Sequence, residues 1–180
     1  NAAFKRNGFR RDGSRNYSEV PETYRPYQEL FSDINKRIRN KNYRYEKVGA
    51  VSKEALADLK KFLDACAKSD IKVIAYLPPW PPSTINMLKD DGAYEPYFTV
   101  LPGNLKKIVE AHSSFRFYDF TYGSALGASD EEFYDGHHAS EKTYARMLKS
   151  MLEKDSSFNS IIDRSHIEEI IKSPQRFGLL

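Results

Sequence analysis

The feature that most constrains this chain is the run Ile-Lys-Val-Ile-Ala-Tyr-Leu at 71–77, followed at once by Pro-Pro-Trp-Pro-Pro at 78–82. A short, nearly continuous apolar run rich in β-branched residues predicts a strand covered on both faces, as in a parallel sheet. The prolines lack the backbone N–H that a strand needs, so the strand stops there. Helical periods flank it. A helix is expected over 26–39, with Leu30, Phe31, Ile34 and Ile38 on one face and Pro26 in its first turn. Ser52 is a natural N-cap for a second helix whose stripe is Ala55, Leu56, Leu59, Phe62, Leu63 and Cys66. Further along, 104–112 reads as a helix, 115–120 as a strand, 140–152 as a helix capped by Ser140, and 165–172 as a short helix ending before Pro174. The alternation of helix and strand predicts an α/β domain with a parallel sheet. Two strands fall short of the roughly 4–6 usual in a sheet. The expected architecture is therefore one α/β domain over 26–180, incomplete at its N-terminal side, after an irregular basic lead-in over 1–25.

Composition narrows the classes. Hydrophobic residues make up 40% of the 180, enough to build a core and to exclude wholesale disorder. No stretch approaches the ~18 apolar residues needed to cross a bilayer, so no transmembrane segment is expected in this chain. The single cysteine, Cys66, permits neither an internal disulfide nor a Cys-rich zinc site. The chain opens on Asn1 without a charged-then-apolar leader, and the expectation is that a leader, an anchor or a larger piece lies upstream. Residues 1–50 carry 12 Lys/Arg against 6 Asp/Glu, whereas the remainder is net acidic. That basic half interleaves its arginines with Tyr17, Tyr24, Tyr27, Tyr43 and Tyr45, the composition of a surface for an anionic polymer. The plainer reading is solvated charge, and it is preferred to nucleic-acid binding because no nucleic-acid motif accompanies the charge.

Chemistry gathers where ligands collect in open parallel sheets, beyond the carboxyl ends of strands. Trp80 lies in one such segment, where an aromatic ring either lines a cleft, stacking on a sugar or acyl group, or closes the top of the core. The other segment holds Phe-Tyr-Asp-Gly-His-His-Ala-Ser at 133–140, directly before a capped helix. A loop of three residues can fold the Asp135 carboxylate back onto Nδ1 of His138. Nε2 is then left to accept a proton from a nucleophile. A zinc reading of Asp135, His137 and His138 is set aside, because adjacent histidines rarely point at one ion.

The stretch Asp-Gly-His-His-Ala-Ser-Glu-Lys-Thr-Tyr-Ala-Arg-Met-Leu at 135–148 resembles the last block of the SGNH/GDSL hydrolase superfamily, in which Asp-x-x-His precedes a helix cap and an amphipathic helix. The segment 7–17 is similar to one found in some bacterial envelope-associated members. The resemblance implies a three-layer α/β/α, flavodoxin-like fold and a serine esterase or O-acyltransferase acting on an acylated small molecule or cell-envelope glycan. It also implies an extracytoplasmic or membrane-associated setting, with Asp135 as triad acid, His138 as general base, and no metal or organic cofactor. Trp80, His137 and Tyr134 are placed in the substrate cleft.

The nucleophile departs from the family pattern. No buried strand leads into a Gly-Asp-Ser-like turn. Asp12-Gly13-Ser14 lies among arginines and reads as a turn, while Ser83 and Ser124 read as loop residues. The proline tract stands where the family carries an Asn-bearing oxyanion loop. The serine and the oxyanion hole are expected upstream of Asn1. The rival from another class is a non-catalytic binding or assembly module that uses the basic, Tyr/Arg-rich face for an anionic polymer.

Overall fold

Ile74–Leu77 (β3) and Arg116–Asp119 (β4) pair in parallel, Ile74 opposite Arg116 and Leu77 opposite Asp119. The computed structural model describes residues 26–46 and 50–174, together with the backbone of two short strands, Gly8–Phe9 (β1) and Arg15–Asn16 (β2), which pair antiparallel. Apart from that pair, the lead-in expected over 1–25, including Ser14 and Tyr17, lies outside the described residues. The connection from β3 to β4 runs through Pro82–Asp90 (α4), a π-helical turn at Pro96–Val100 and Leu101–Val109 (α5), as a parallel pair requires. Before it come Tyr27–Leu30 (α1), Ser32–Asn40 (α2) and Lys53–Lys68 (α3). After it come Glu141–Lys154 (α6), a 3-10 turn at Ser156–Ser160 and Arg164–Lys172 (α7).

Local chemistry fixes the helix starts. Ser52 and Ser140 accept the backbone N–H of Ala55 and Thr143, and Asp163 accepts those of Ser165 and His166. Pro82 opens α4, where its missing N–H costs nothing.

The two sheet faces are covered by different helices. Ala75 and Phe117 face Leu63 and Cys66 of α3 and Val109 of α5. Tyr118 and Phe120 face Ala145, Met147, Met151 and Leu152 of α6 and Ile167 of α7. The chain is thus mixed α/β, with helices on both sides of a short parallel sheet.

Several expectations need correction. The first strand spans four residues and is not covered on both faces: Ile74 is 47% and Tyr76 46% exposed. The helices α6 and α7 sit over β4, and β4 is the one neighbour of β3 among the described residues. The helix expected over 26–39 is broken at Phe31, which turns inward and is buried. Phe62 lies off the buried stripe of α3 and is 60% exposed. The proline tract does not merely stop a strand. Its last residue begins α4, so Ser83 is helical, and its N–H donates to the Asp130 carboxylate at 3.0 Å. Ser124 lies in a 3-10 turn, Gly123–Leu126.

Candidate functional site

Downstream of β4, Phe133 and Ala139 form an antiparallel bridge. The N–H of Tyr134 donates to the carbonyl of His138 at 2.9 Å, and that of Ser140 to the carbonyl of Glu132 at 3.0 Å. Asp135, Gly136 and His137 are left as the tip of a closed loop. Asp135 organises this tip: Oδ1 accepts the N–H groups of His137 and His138, each at 2.7 Å, and Oδ2 accepts Nδ1–H of His138 at 2.8 Å. A carboxylate only accepts, so Nδ1 of His138 carries the proton and Nε2 is the open nitrogen. Among the described residues Nε2 has no hydrogen-bond partner, and the side chain is 68% exposed.

The loop is held from beneath. A Cβ on Gly136 would stand 2.8 Å from Cβ and Cγ2 of Ile34 in α2, so the tip can approach α2 this closely only as glycine. The Thr84 hydroxyl in α4, fully buried, donates to the Gly136 carbonyl at 3.0 Å. Phe133 is fully buried against Phe31, Ala128 and Ala139. Arg146 of α6 holds both Glu132 carboxylate oxygens, at 2.9 and 3.2 Å.

Beside the loop opens a cavity of about 360 Å³. Its inner wall is aromatic. Trp80 donates its N–H to the Thr121 carbonyl and accepts the N–H of Gly123, which carries the parallel ladder one step past the prolines. The His137 ring meets the Trp80 ring edge-on at 4.7 Å, Phe98 lies 5.7 Å from Trp80, and Tyr45 lies 6.5 Å away on another side. The rim comes from Arg37 of α2 and from the turn that carries Tyr43, Arg44 and Tyr45. Arg37 is paired to Asp33 at 2.7 Å and lies over the Tyr43 ring.

The electrostatics distinguish the two histidines. Burial pushes the Asp135 carboxyl up, but the hydrogen bonds from the His138 ring and from two backbone N–H groups outweigh it and hold the carboxyl below its ordinary value. Burial holds the His137 imidazole down, with the charges of His138 and Arg44 acting the same way and Asp135 opposing them. His137 is therefore a neutral ring at neutral pH, and its buried Nδ1 has no partner among the described residues. Burial, then the Asp135 charge, pushes the Tyr45 hydroxyl up to about 12, so it stays a proton donor.

Of the residues expected from sequence, Asp135, His137, His138 and Trp80 meet at this cavity. Tyr134 does not line it and serves the loop through its backbone N–H. Ser83 and Ser124 do not line it either, and no serine, threonine or cysteine does among the described residues. No group of three His, Cys, Asp or Glu among them could hold a metal ion, so Asp135, His137 and His138 do not converge as ligands. Sequence reasoning missed Phe98 and Tyr97, which a π-helical turn presents, and Arg44 and Tyr45, whose signal was only the mixed Arg/Tyr composition of the basic half. Comparison of the chain with known protein families, curated proteins and solved structures finds no match.

Proposed function

We propose that Asp135 and His138 are the acid and the base of an SGNH/GDSL-type serine acyl-transfer site acting on an acylated alcohol of the glycan class. The observation that carries this is the 2.8 Å contact between Nδ1 of His138 and Asp135, with Nε2 left open beside an aromatic cavity. His138 Nε2 takes the proton of a serine hydroxyl as its oxygen attacks the ester carbonyl. It then returns that proton to the leaving alcohol, while Asp135 holds the tautomer and stabilises the imidazolium. The serine comes from outside the described residues. An imidazole that is 68% exposed needs a further wall to keep water away from the reaction, and this reading places that wall, too, outside the described residues. The fold proposed with this is a three-layer, flavodoxin-like sandwich. Helices on both sides of β3–β4 and the bare β3 face support it.

The test is ester cleavage and labelling by a serine-directed fluorophosphonate, on the protein as its host makes it. His138→Ala should lower turnover by about a thousandfold or more, and His137→Ala by less than about tenfold. Equal loss from both would overturn the assignment. The second reading, a non-catalytic binding module, is favoured by one observation: no serine, threonine or cysteine among the described residues lines the cavity. It expects no labelling at all.

A further inference from the structure

We infer that the cavity beside the dyad takes an anionic sugar, its ring against Trp80 and its carboxylate or phosphate on Arg44. This rests on the acyl-transfer reading above and names the alcohol part of the substrate.

The charges around the cavity do not all close. Asp33 and Arg37 neutralise each other at 2.7 Å, and the Asp135 carboxylate is turned into its own loop, where three N–H groups satisfy it. The Arg44 guanidinium remains, at the rim, with no carboxylate partner among the described residues. The nearest acid in sequence, Glu46, accepts the Arg44 backbone N–H at 2.9 Å, so its carboxylate serves the turn. Arg44 nonetheless acts on the interior, since its charge contributes to holding His137 neutral. A guanidinium offers a planar fork that matches a carboxylate or a phosphate.

The turn that carries Arg44 is held in an unusual backbone. Lys41, Tyr43 and Arg44 have φ of 51°, 49° and 81°, left-handed values that side-chain-bearing residues seldom adopt. Such a conformation places Arg44 and Tyr45 at the cavity together. Around them, apart from the Asp33–Arg37 pair and the loop-bound Asp135, the groups are uncharged: the Trp80 and Phe98 rings, the Tyr45 hydroxyl and the neutral His137. A ring with apolar C–H faces and several hydroxyls fits rings that stack and neutral groups that donate and accept, with a single charge at one end. The volume of about 360 Å³ lies at the lower end for small-molecule sites, on the scale of a monosaccharide unit.

Trp80 is the only tryptophan in the chain, so its intrinsic fluorescence reports the cavity directly. The protein as its host makes it would be titrated with methyl β-glucuronoside, glucose 6-phosphate and methyl β-glucoside. With tryptophans elsewhere in that protein, the same titration on Trp80→Phe isolates the signal of Trp80. A saturable change is expected with at least one anionic probe, at about tenfold lower concentration than with the glucoside, and the better of the two identifies the anion. Raising salt from about 0.05 to about 0.5 M should weaken the anionic probe and leave the glucoside unchanged. Arg44→Gln should bring the anionic probes to the glucoside level. Arg44 is exposed, so the variant keeps the fold. Equal half-saturation for all three sugars, no saturable change with any of them, or an anion preference surviving in Arg44→Gln would overturn the inference. Loss of the preference with His138-dependent cleavage intact removes only the sugar class. A preference without such cleavage removes only the acyl-transfer reading.

Discussion

Asp135 satisfies three donors with two oxygens, and all three come from the two residues beside it on the loop. That is why Asp-x-x-His could be read from the chain: the partners are three positions apart, and the turn that joins them is local. His137 is a different case. What makes it neutral is the packing of its ring against Trp80, 57 positions earlier, and burial of that kind leaves no mark in a short window of sequence. The two residues titrate in separate windows. The folded-state value of His137 is depressed below the ordinary imidazole value near 6.5. The unfolded chain therefore binds the proton first, and the contribution to stability is complete above pH ~6.5 and is lost as pH falls through the folded value. Asp135 is also depressed, so its contribution holds above the ordinary carboxylate value and is lost only as pH falls through its folded value. Urea unfolding followed from pH 7.5 downward should show a first loss of stability just below pH 6.5 that His137→Gln removes, and a second, in the carboxylate range, that Asp135→Asn removes. A first step that persists in His137→Gln would mean that the ring is not buried as described.

At the scale of elements, the loop is as good as the helices beneath it. Gly136 sits so close to α2 that an added Cβ would meet Ile34 at 2.8 Å, and its carbonyl is held by Thr84 of α4. The close atoms belong to a buried, β-branched side chain on a helix and cannot swing away. Gly136→Ala should therefore cost about 1–3 kcal/mol by overpacking, read as a shift in the urea midpoint. It should also lift the Asp135–His138 tip from its seat, so that activity falls further than stability alone explains. A neutral result would show that α2 can retreat. This contact joins positions 102 apart, so the glycine reads from sequence only as a turn. Elements defined by their own caps were legible: Ser52 and Ser140 start α3 and α6 where their side chains predict. Those decided by neighbours were not. The proline tract looks like a terminator, yet Pro82 suits a first helical turn, and α4 follows from it. Phe31 breaks an otherwise good helical period because burial against Phe133 and Ala139 outweighs one continuous helix.

For the whole molecule the deciding feature is the face of β3. Tyr76 and Tyr118 stand opposite each other in the parallel register and point to the same side of the sheet. One is 46% exposed and the other 8%, because α6 and α7 cover β4 and stop short of β3. An apolar run that reads as covered on both faces thus has one face half bare, along with Ile74 beside it. The run reads as a strand with both faces covered, and the described residues cover the Ala75 face alone. This pair is an internal control, since chemistry, strand geometry and sheet face are shared and only the cover differs. Tyr118→Ala should cost about 3–5 kcal/mol in any context, as for other buried aromatic truncations. If a further strand and helix complete a three-layer sandwich, Tyr76→Ala in the protein as its host makes it should cost more than about 2 kcal/mol, approaching its partner. With β3 as a true edge, it should cost less than about 1 kcal/mol, as surface substitutions do. Urea denaturation of the two variants decides between them. The three-layer reading expects the larger cost, and the smaller one would leave Asp135 and His138 beside a sheet that ends at β3.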